Sequence, residues 1–301
     1  MSSGIKAAPM RRTSEIEEIT NLYFIHPLGS RLVPWFARMH VTPNAVSLTG
    51  LLFGVLAGFA YYHYQSPLWV IMGFILMIAW HVMDGADGQL ARFTHSQSHF
   101  GKVLDGISDT ATFLVVYTAL ALALGREYGE RMYVLVVAAA VCHLVQAATY
   151  EAQRQEYDIW GWGRLSPQPA GAAAGAAPMG SRILGSLDRL YYVGLSFPSA
   201  GVTQRVRTAM TAALERHPEN DARIRERYRE MFAPLLRQWS FLSSNYHTLG
   251  IFVCALLQAP QLYFWFTLIG FNALLAWLIH RQSERCTAFL GMRDAPPATA
   301  A

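Results

Sequence analysis

Four aspartates set the chemistry open to this chain. Two stand in Asp84-Gly85-Ala86-Asp87-Gly88-Gln89-Leu90-Ala91-Arg92, and two more follow at Asp105 and Asp109. Spacings of three and four put each pair on one side of a helix. The face that starts at Asp84 also carries Gly88 and Ala91. The face of Asp105 and Asp109 carries Gly101 one turn back. Two helices joined through 93–100 therefore aim four carboxylates at one another across small residues. Clustered acids cannot all stay ionised without cations, and all-oxygen ligands suit Mg, Mn or Ca rather than zinc. An acidic turn between two membrane helices is the purely structural alternative. The flanking sequence favours a site, because the apolar run Trp69–Trp80 leads into the first pair and Thr112–Leu122 follows the second. Acids beside membrane-grade segments are costly and mark function by default.

The elements that must position these acids are membrane helices. Hydrophobic residues make up 53% of the 301, and charged residues only 15%. That balance predicts an all-α integral membrane protein. Six transmembrane helices are expected, near 44–63, 67–92, 99–124, 131–153, 240–259 and 262–281. Residues 1–40 read as a disordered N-terminus, polar through residue 19, followed by an interfacial amphipathic helix over Asn21–His40. Residues 41–154 carry the first four spans and the acidic motif, with Thr42 as N-cap and Pro43 at the first helical position. Residues 155–239 form a cytoplasmic helical insertion, and 240–301 the last two spans and the tail. The insertion opens on Trp160-Gly161-Trp162 and passes through an Ala/Gly-rich linker over 169–178. Two amphipathic helices follow, one with Val202, Val206, Met210 and Leu214, the other with Ile224, Tyr228, Met231, Leu235 and Trp239. They read as a solvated pair on the membrane surface, with a lid over the site as the alternative.

Charge sets the expected orientation. Twenty-two lysines and arginines fall on the side of the termini, the acidic motif and the insertion, against Arg126 and Arg131 on the other. The positive-inside rule then faces the acidic site and both termini to the cytoplasm. No basic-apolar-small cleavage pattern opens the chain, so no removable signal peptide is expected. The cysteines Cys142, Cys254 and Cys286 are odd in number and scattered, and read as small core residues rather than a disulfide or zinc framework. A pI near 9.0 fits an anionic lipid surface and phosphate-bearing substrates better than nucleic acid.

The motif Asp-x2-Asp-Gly-x2-Ala-Arg-x8-Gly-x3-Asp-x3-Asp resembles the signature of the CDP-alcohol phosphotransferases. Asp84, Asp87, Gly88, Ala91, Arg92, Gly101, Asp105 and Asp109 all match it. The resemblance is good over about 40–155 and loose over 240–285, and the insertion departs from it. It implies that Asp84, Asp87 and Asp105 are metal ligands. Asp109 would belong to the same cluster and act as the general base on the acceptor hydroxyl. One or two Mg2+ or Mn2+ ions would be the cofactor. Gly88, Ala91, Gly101, Pro43 and Asn44 would contact the nucleotide and diphosphate, and Arg92 a phosphate or one of the carboxylates. A CDP-alcohol donor, a hydroxyl acceptor, the lipid bilayer and a second copy in a homodimer are the implied partners. The implied setting is a cytoplasmic membrane, such as the inner membrane of a bacterium.

The acceptor is less legible. His143, Gln146, Tyr150 and Arg154 share a broad face of the fourth span, and Asn245 and His247 open the fifth. Polar residues at membrane depth line cavities or bond to neighbouring helices. The activity expected is transfer of a phosphatidyl group from CDP-diacylglycerol to inositol, inositol phosphate or glycerol phosphate, with release of CMP. The alternative within the class moves a headgroup from soluble CDP-choline or CDP-ethanolamine to a lipid alcohol. A divalent-cation transporter or binding protein is the alternative of another class, and it would spread its acids through the bilayer depth.

Overall fold

The computed structural model describes residues 15–164, 200–216 and 218–293. The Ala/Gly-rich linker and most of the polar N-terminus expected from the sequence lie outside them. The protein is an all-α membrane protein, and the described residues hold helices and no strand.

A π-helical turn, Asn21–Ile25, passes into α1, His26–Arg38. α2 (Pro43–Tyr62) starts as expected, with Pro43 at its first position and the Thr42 hydroxyl accepting from the Ala45 N–H at 3.3 Å. α3 spans Pro67–Phe93 and α4 His99–Tyr128; the Ser98 hydroxyl caps α4 by accepting from the Gly101 N–H at 3.0 Å. α4 stops at Gly129, whose φ of 88° ends helical propagation. Two other helices end on left-handed histidines rather than glycines. His40 closes α1, with Val41 N–H donating to the Phe36 carbonyl at 3.0 Å. His95 closes α3, with Ser96 N–H donating to the Ala91 carbonyl at 2.9 Å. These i→i−5 bonds are the Schellman closure.

α5 (Arg131–Trp162) runs well past the expected end near 153. Side chains one turn apart carry it on: Arg154 pairs with Glu151 at 2.9 Å, and the Trp160 indole donates to Glu156 at 2.8 Å. α6 (Ala200–Arg216) and α7 (Asp221–Trp239) follow, then α8 (Ser244–Leu256), α9 (Gln261–Phe266), a π-helical stretch Thr267–Phe271, and α10 (Asn272–Arg293).

Among the described residues, five stretches are long and apolar enough to cross a membrane: Pro43–Tyr62, Pro67–Phe93, Leu104–Tyr128, Arg131–Trp162 and Gln261–Gly291. The expected span at 240–259 contains only the 13 residues of α8. At 1.5 Å per residue that is about 20 Å, against about 30 Å of hydrocarbon. Its ends are trimmed by local chemistry. Ser240 donates its hydroxyl to the Arg237 carbonyl at 2.7 Å and opens a 3-10 turn. Gln258, at φ 58°, closes the other end two residues before Pro260.

The chain divides into two compact units, Met1–Cys142 with Ser244–Gly270, and His143–Ser243 with Phe271–Ala301. In the first, Tyr61, Met77, Trp80, Val116, Leu120, Ile251 and Phe264 form the apolar core. Glycines on one stripe of α2 set its helix spacing. A Cβ on Gly50 would lie 3.1 Å from Met83 of α3. On Gly54 it would lie 2.4 Å from Thr112, and on Gly58 2.6 Å from Val115, both on α4. Only a missing side chain permits such approach. α1 is amphipathic as expected. Val33 and Phe36 pack with Val46, Ala86 and Leu90, while Tyr23, Phe24 and Trp35 are exposed.

In the second unit most of the described part of the expected stripe is buried: Val206, Met210, Tyr228, Leu235 and Trp239 lie inside along with Tyr157, Phe232 and Phe289, while Leu214, Ile224 and Met231 are half-buried. Burial pushes the Tyr228 phenol well above its usual range, so it stays protonated. Arg225 donates to the Ile159 and Trp160 carbonyls at 2.9 and 3.1 Å, and Arg229 to the Gly161 carbonyl at 2.7 Å. The insertion thereby caps the last turn of α5, whose carbonyls have no helical partner.

Candidate active site

The acids come from the facing ends of α3 and α4, within the first unit. Asp84, Asp105 and Asp109 each offer an oxygen, and these oxygens all lie within 4.8 Å of one another. Asp84 and Asp109 are in side-chain hydrogen-bond contact, with Asp105 and Asp87 alongside. Two carboxylates in contact need a shared proton or a cation between them. Three half-buried oxygen donors within one ion's reach fit a hard divalent cation.

Asp87 stands one step outside this trio. It is 5% exposed, faces Asp105, and takes a hydrogen bond from the Ser47 hydroxyl of α2. The Arg92 guanidinium lies beside it, 3.4 Å from where a Cβ on Gly88 would be. Gly88 thus makes room for Arg92.

Two of the other expected nucleotide contacts meet directly. A Cβ on Gly101 would lie 3.3 Å from Asn44 Oδ1, so the first turns of α2 and α4 touch beside the acids. Pro43 starts that turn of α2, and Ala91 lies half-buried on the acid-bearing face of α3.

The expected acceptor residues divide between the units. His247 is fully buried, with Nδ1 2.8 Å from the Tyr263 hydroxyl, which in turn lies 2.5 Å from the Tyr117 hydroxyl. The Asn245 amide nitrogen donates to Glu18, Thr20 and Asn21 at 2.5, 2.9 and 2.8 Å. His143, Gln146, Tyr150 and Arg154 belong to the second unit. There the Gln146 amide donates to Asn272 at 2.8 Å, Arg154 lies over the Tyr150 ring at 5.8 Å, and His143 is buried.

Sequence reasoning missed Ser47 and His81. His81, one turn before Asp84, is buried and lies 3.0 Å from the Thr248 hydroxyl through Nε2. Both residues sit in apolar runs whose hydropathy hides them. For His81 the signal available was a polar residue inside a membrane-grade helix within one turn of a motif position; Ser47, forty residues before Asp87, carried none along the chain.

Comparison with known proteins agrees with this geometry. Residues 40–192, about half of the chain, match the family described as CDP-alcohol phosphatidyltransferase. An uncharacterized protein of Aquifex aeolicus is 28% identical over 132 residues, 44% of this chain and 65% of that protein. Cholinephosphotransferase 1 of Gallus gallus is 33% identical over 107 residues, 33% of this chain and 30% of its own. CDP-diacylglycerol--serine O-phosphatidyltransferase of Helicobacter pylori (strain ATCC 700392 / 26695) is 29% identical over 83 residues, 28% of this chain and 33% of its own. The matched stretch therefore spans less than two thirds of each of these relatives. With α3 and α4 bringing the signature acids together inside the matched region, the chain belongs to the CDP-alcohol phosphatidyltransferase family.

Proposed function

We propose that this protein transfers a phosphatidyl group from CDP-diacylglycerol to a small hydroxyl acceptor and releases CMP. Inositol, inositol phosphate and glycerol phosphate are the expected acceptors, and the name of the Helicobacter pylori relative adds serine. The observation that carries the reading is the convergence of Asp84, Asp105 and Asp109 within 4.8 Å. These three, with Asp87 beside them, would hold Mg2+ or Mn2+. A divalent ion there supplies charge neutralisation on the diphosphate and on departing CMP.

The chain's own residues do the rest. Asp109 takes the proton of the acceptor hydroxyl as its oxygen bonds to the phosphorus that bears diacylglycerol. The bond from that phosphorus to the bridging oxygen breaks, and CMP leaves with the electron pair. Arg92 is placed to balance charge beside Asp87, and the Asn44–Gly101 contact forms the floor on which the nucleotide is proposed to lie. The site and both termini are proposed to face the cytoplasm, and the active form to be a homodimer.

A second reading takes its support from the Gallus gallus relative, whose name specifies choline phosphate transfer. In it a soluble CDP-choline or CDP-ethanolamine gives its headgroup to a lipid alcohol. A donor screen separates the two: purified protein, Mg2+, CDP-diacylglycerol or CDP-choline, an acceptor panel including serine and diacylglycerol, and CMP release as readout. CMP release with CDP-diacylglycerol and a soluble acceptor is expected; release only with CDP-choline and diacylglycerol reverses the assignment. EDTA should abolish the release and Mg2+ or Mn2+ restore it. Full activity after exhaustive metal removal would defeat the metal role.

A further inference from the structure

Three of the four acids form one group, and the fourth is held by a residue on a different helix. Ser47 and Asp87 are both buried, 6% and 5% exposed. The Ser47 hydroxyl donates to Asp87 Oδ2 across the α2–α3 contact. That hydroxyl also lies 3.2 Å from the Pro43 carbonyl, the i−4 bond a helical serine makes by default. It has one proton to give, and the carboxylate, as the charge-assisted acceptor, takes it. The Ser47 carbonyl lies 3.5 Å from the Ser108 hydroxyl, next to Asp109 on α4. One residue of α2 thus touches the acid-bearing turns of both α3 and α4. On the same stripe Gly50, Gly54 and Gly58 only make room for those helices. A hydroxyl appears on it where the acids are.

We propose that Ser47 is a positioning residue for the reaction: its hydroxyl holds the Asp87 carboxylate in the orientation that completes the group formed by Asp84, Asp105 and Asp109. The proposal rests on the reading of these acids as a divalent-metal site. Asp87 is pulled by Arg92 and repelled by Asp105. The Gly88 backbone N–H also bonds to the carboxylate, and the Ser47 hydroxyl is the bond that ties it to α2 against the pull of the guanidinium. Oriented second partners of this kind are worth about 10–100-fold in metal affinity or activity.

The test is Mn2+ binding by the full-length purified protein without substrate, read as loss of the free-ion electron paramagnetic resonance signal. Ser47→Ala and Ser47→Cys should each weaken binding by about 10-fold or more, and Ser47→Thr, which keeps the hydroxyl, by less than about 3-fold. In an Asp87→Asn background, Ser47→Ala should add less than about 2-fold, because coupled residues are not additive. Unchanged binding in Ser47→Ala, equal loss in Ser47→Thr, or a full additional loss beside Asp87→Asn would each overturn the proposal. If the alanine variant does not give a monodisperse protein, the cysteine variant decides. CMP release from CDP-diacylglycerol, measured alongside, separates the two readings. A parent that binds Mn2+ but releases no CMP defeats the substrate assignment and leaves the Ser47 pattern to be judged on binding. A parent that binds no Mn2+ overturns both.

Discussion

In the proposed reaction, Asp109 is where proton transfer and metal binding would meet. It shares the three-carboxylate group with Asp84 and Asp105 and touches Asp84 directly. A base in that position must be ionised and within hydrogen-bond reach of the incoming hydroxyl. Asparagine keeps the shape and a weak oxygen donor but cannot take a proton. Asp109→Asn should therefore lose roughly 10²–10⁴-fold in rate, with CDP-alcohol binding in saturating Mg2+ little changed. Asparagine at Asp84, Asp87 or Asp105 should instead raise the Mg2+ concentration needed for half-maximal rate. If binding collapses with rate in Asp109→Asn, Asp109 is chiefly a ligand and the proton leaves by another route. His247 and Asn245 show the limit of reading single residues. A buried histidine on an apolar helix is as able to bind a tyrosine as a substrate, and here Tyr263 lies 2.8 Å away.

At the scale of elements, α2 carries the geometry of the site without contributing an acid. Its glycines let α3 and α4 each pack closely against it, beside the turns that carry Asp84 and Asp109. Gly58→Ala puts a methyl 2.6 Å from Val115 Cγ1, and the next atoms, Val115 backbone, are 3.3 Å away. Overpacking of this size costs about 1–3 kcal/mol. The variant should unfold at lower temperature in detergent, and adding Val115→Ala should recover most of the loss. A double variant no more stable than Gly58→Ala alone would show that the strain lies in the backbone. Most helix starts were legible, as where Thr42-Pro43 gives a local signal. The ends near His40, His95 and Gln258 fall within a few residues of those expected, but the left-handed closure at each was not legible, because none carries the glycine that advertises it. α5 overran its expected end because ion pairs and the Arg225 and Arg229 caps extend a helix beyond its apolar stretch.

For the whole molecule, the asymmetry of lysine and arginine is the strongest guide to orientation. On the six-span topology expected from the sequence, 22 of the 24 fall on one side, and the insertion is expected in the cytoplasm together with the acidic site. In a background lacking Cys142, Cys254 and Cys286, a cysteine at Ala222, exposed on α7, should resist impermeant maleimide in intact cells. It should label after permeabilisation, whereas a cysteine at Glu130, exposed beyond the end of α4, should label already in intact cells. Labelling of position 222 from outside would invert the topology and move the site across the membrane.

The sequence by itself determined the class and the chemistry. Apolar length, the spacing of four aspartates and the charge bias are one-dimensional quantities, and a helix converts them into faces by a fixed 3.6-residue turn. Asp84 with Asp87, and Asp105 with Asp109, had to share a face in any helical fold. Tertiary structure decided which acids from different helices meet. It drew Asp84, Asp105 and Asp109 into one group and left Asp87 to Ser47, forty residues away. It paired His247 with Tyr263 and set Arg92 over Gly88. Those choices depend on the rotation and closeness of α2, α3 and α4, which follow from interhelical packing at Gly50, Gly54 and Gly58. No spacing along one helix encodes its phase against another; the sum of contacts between them does.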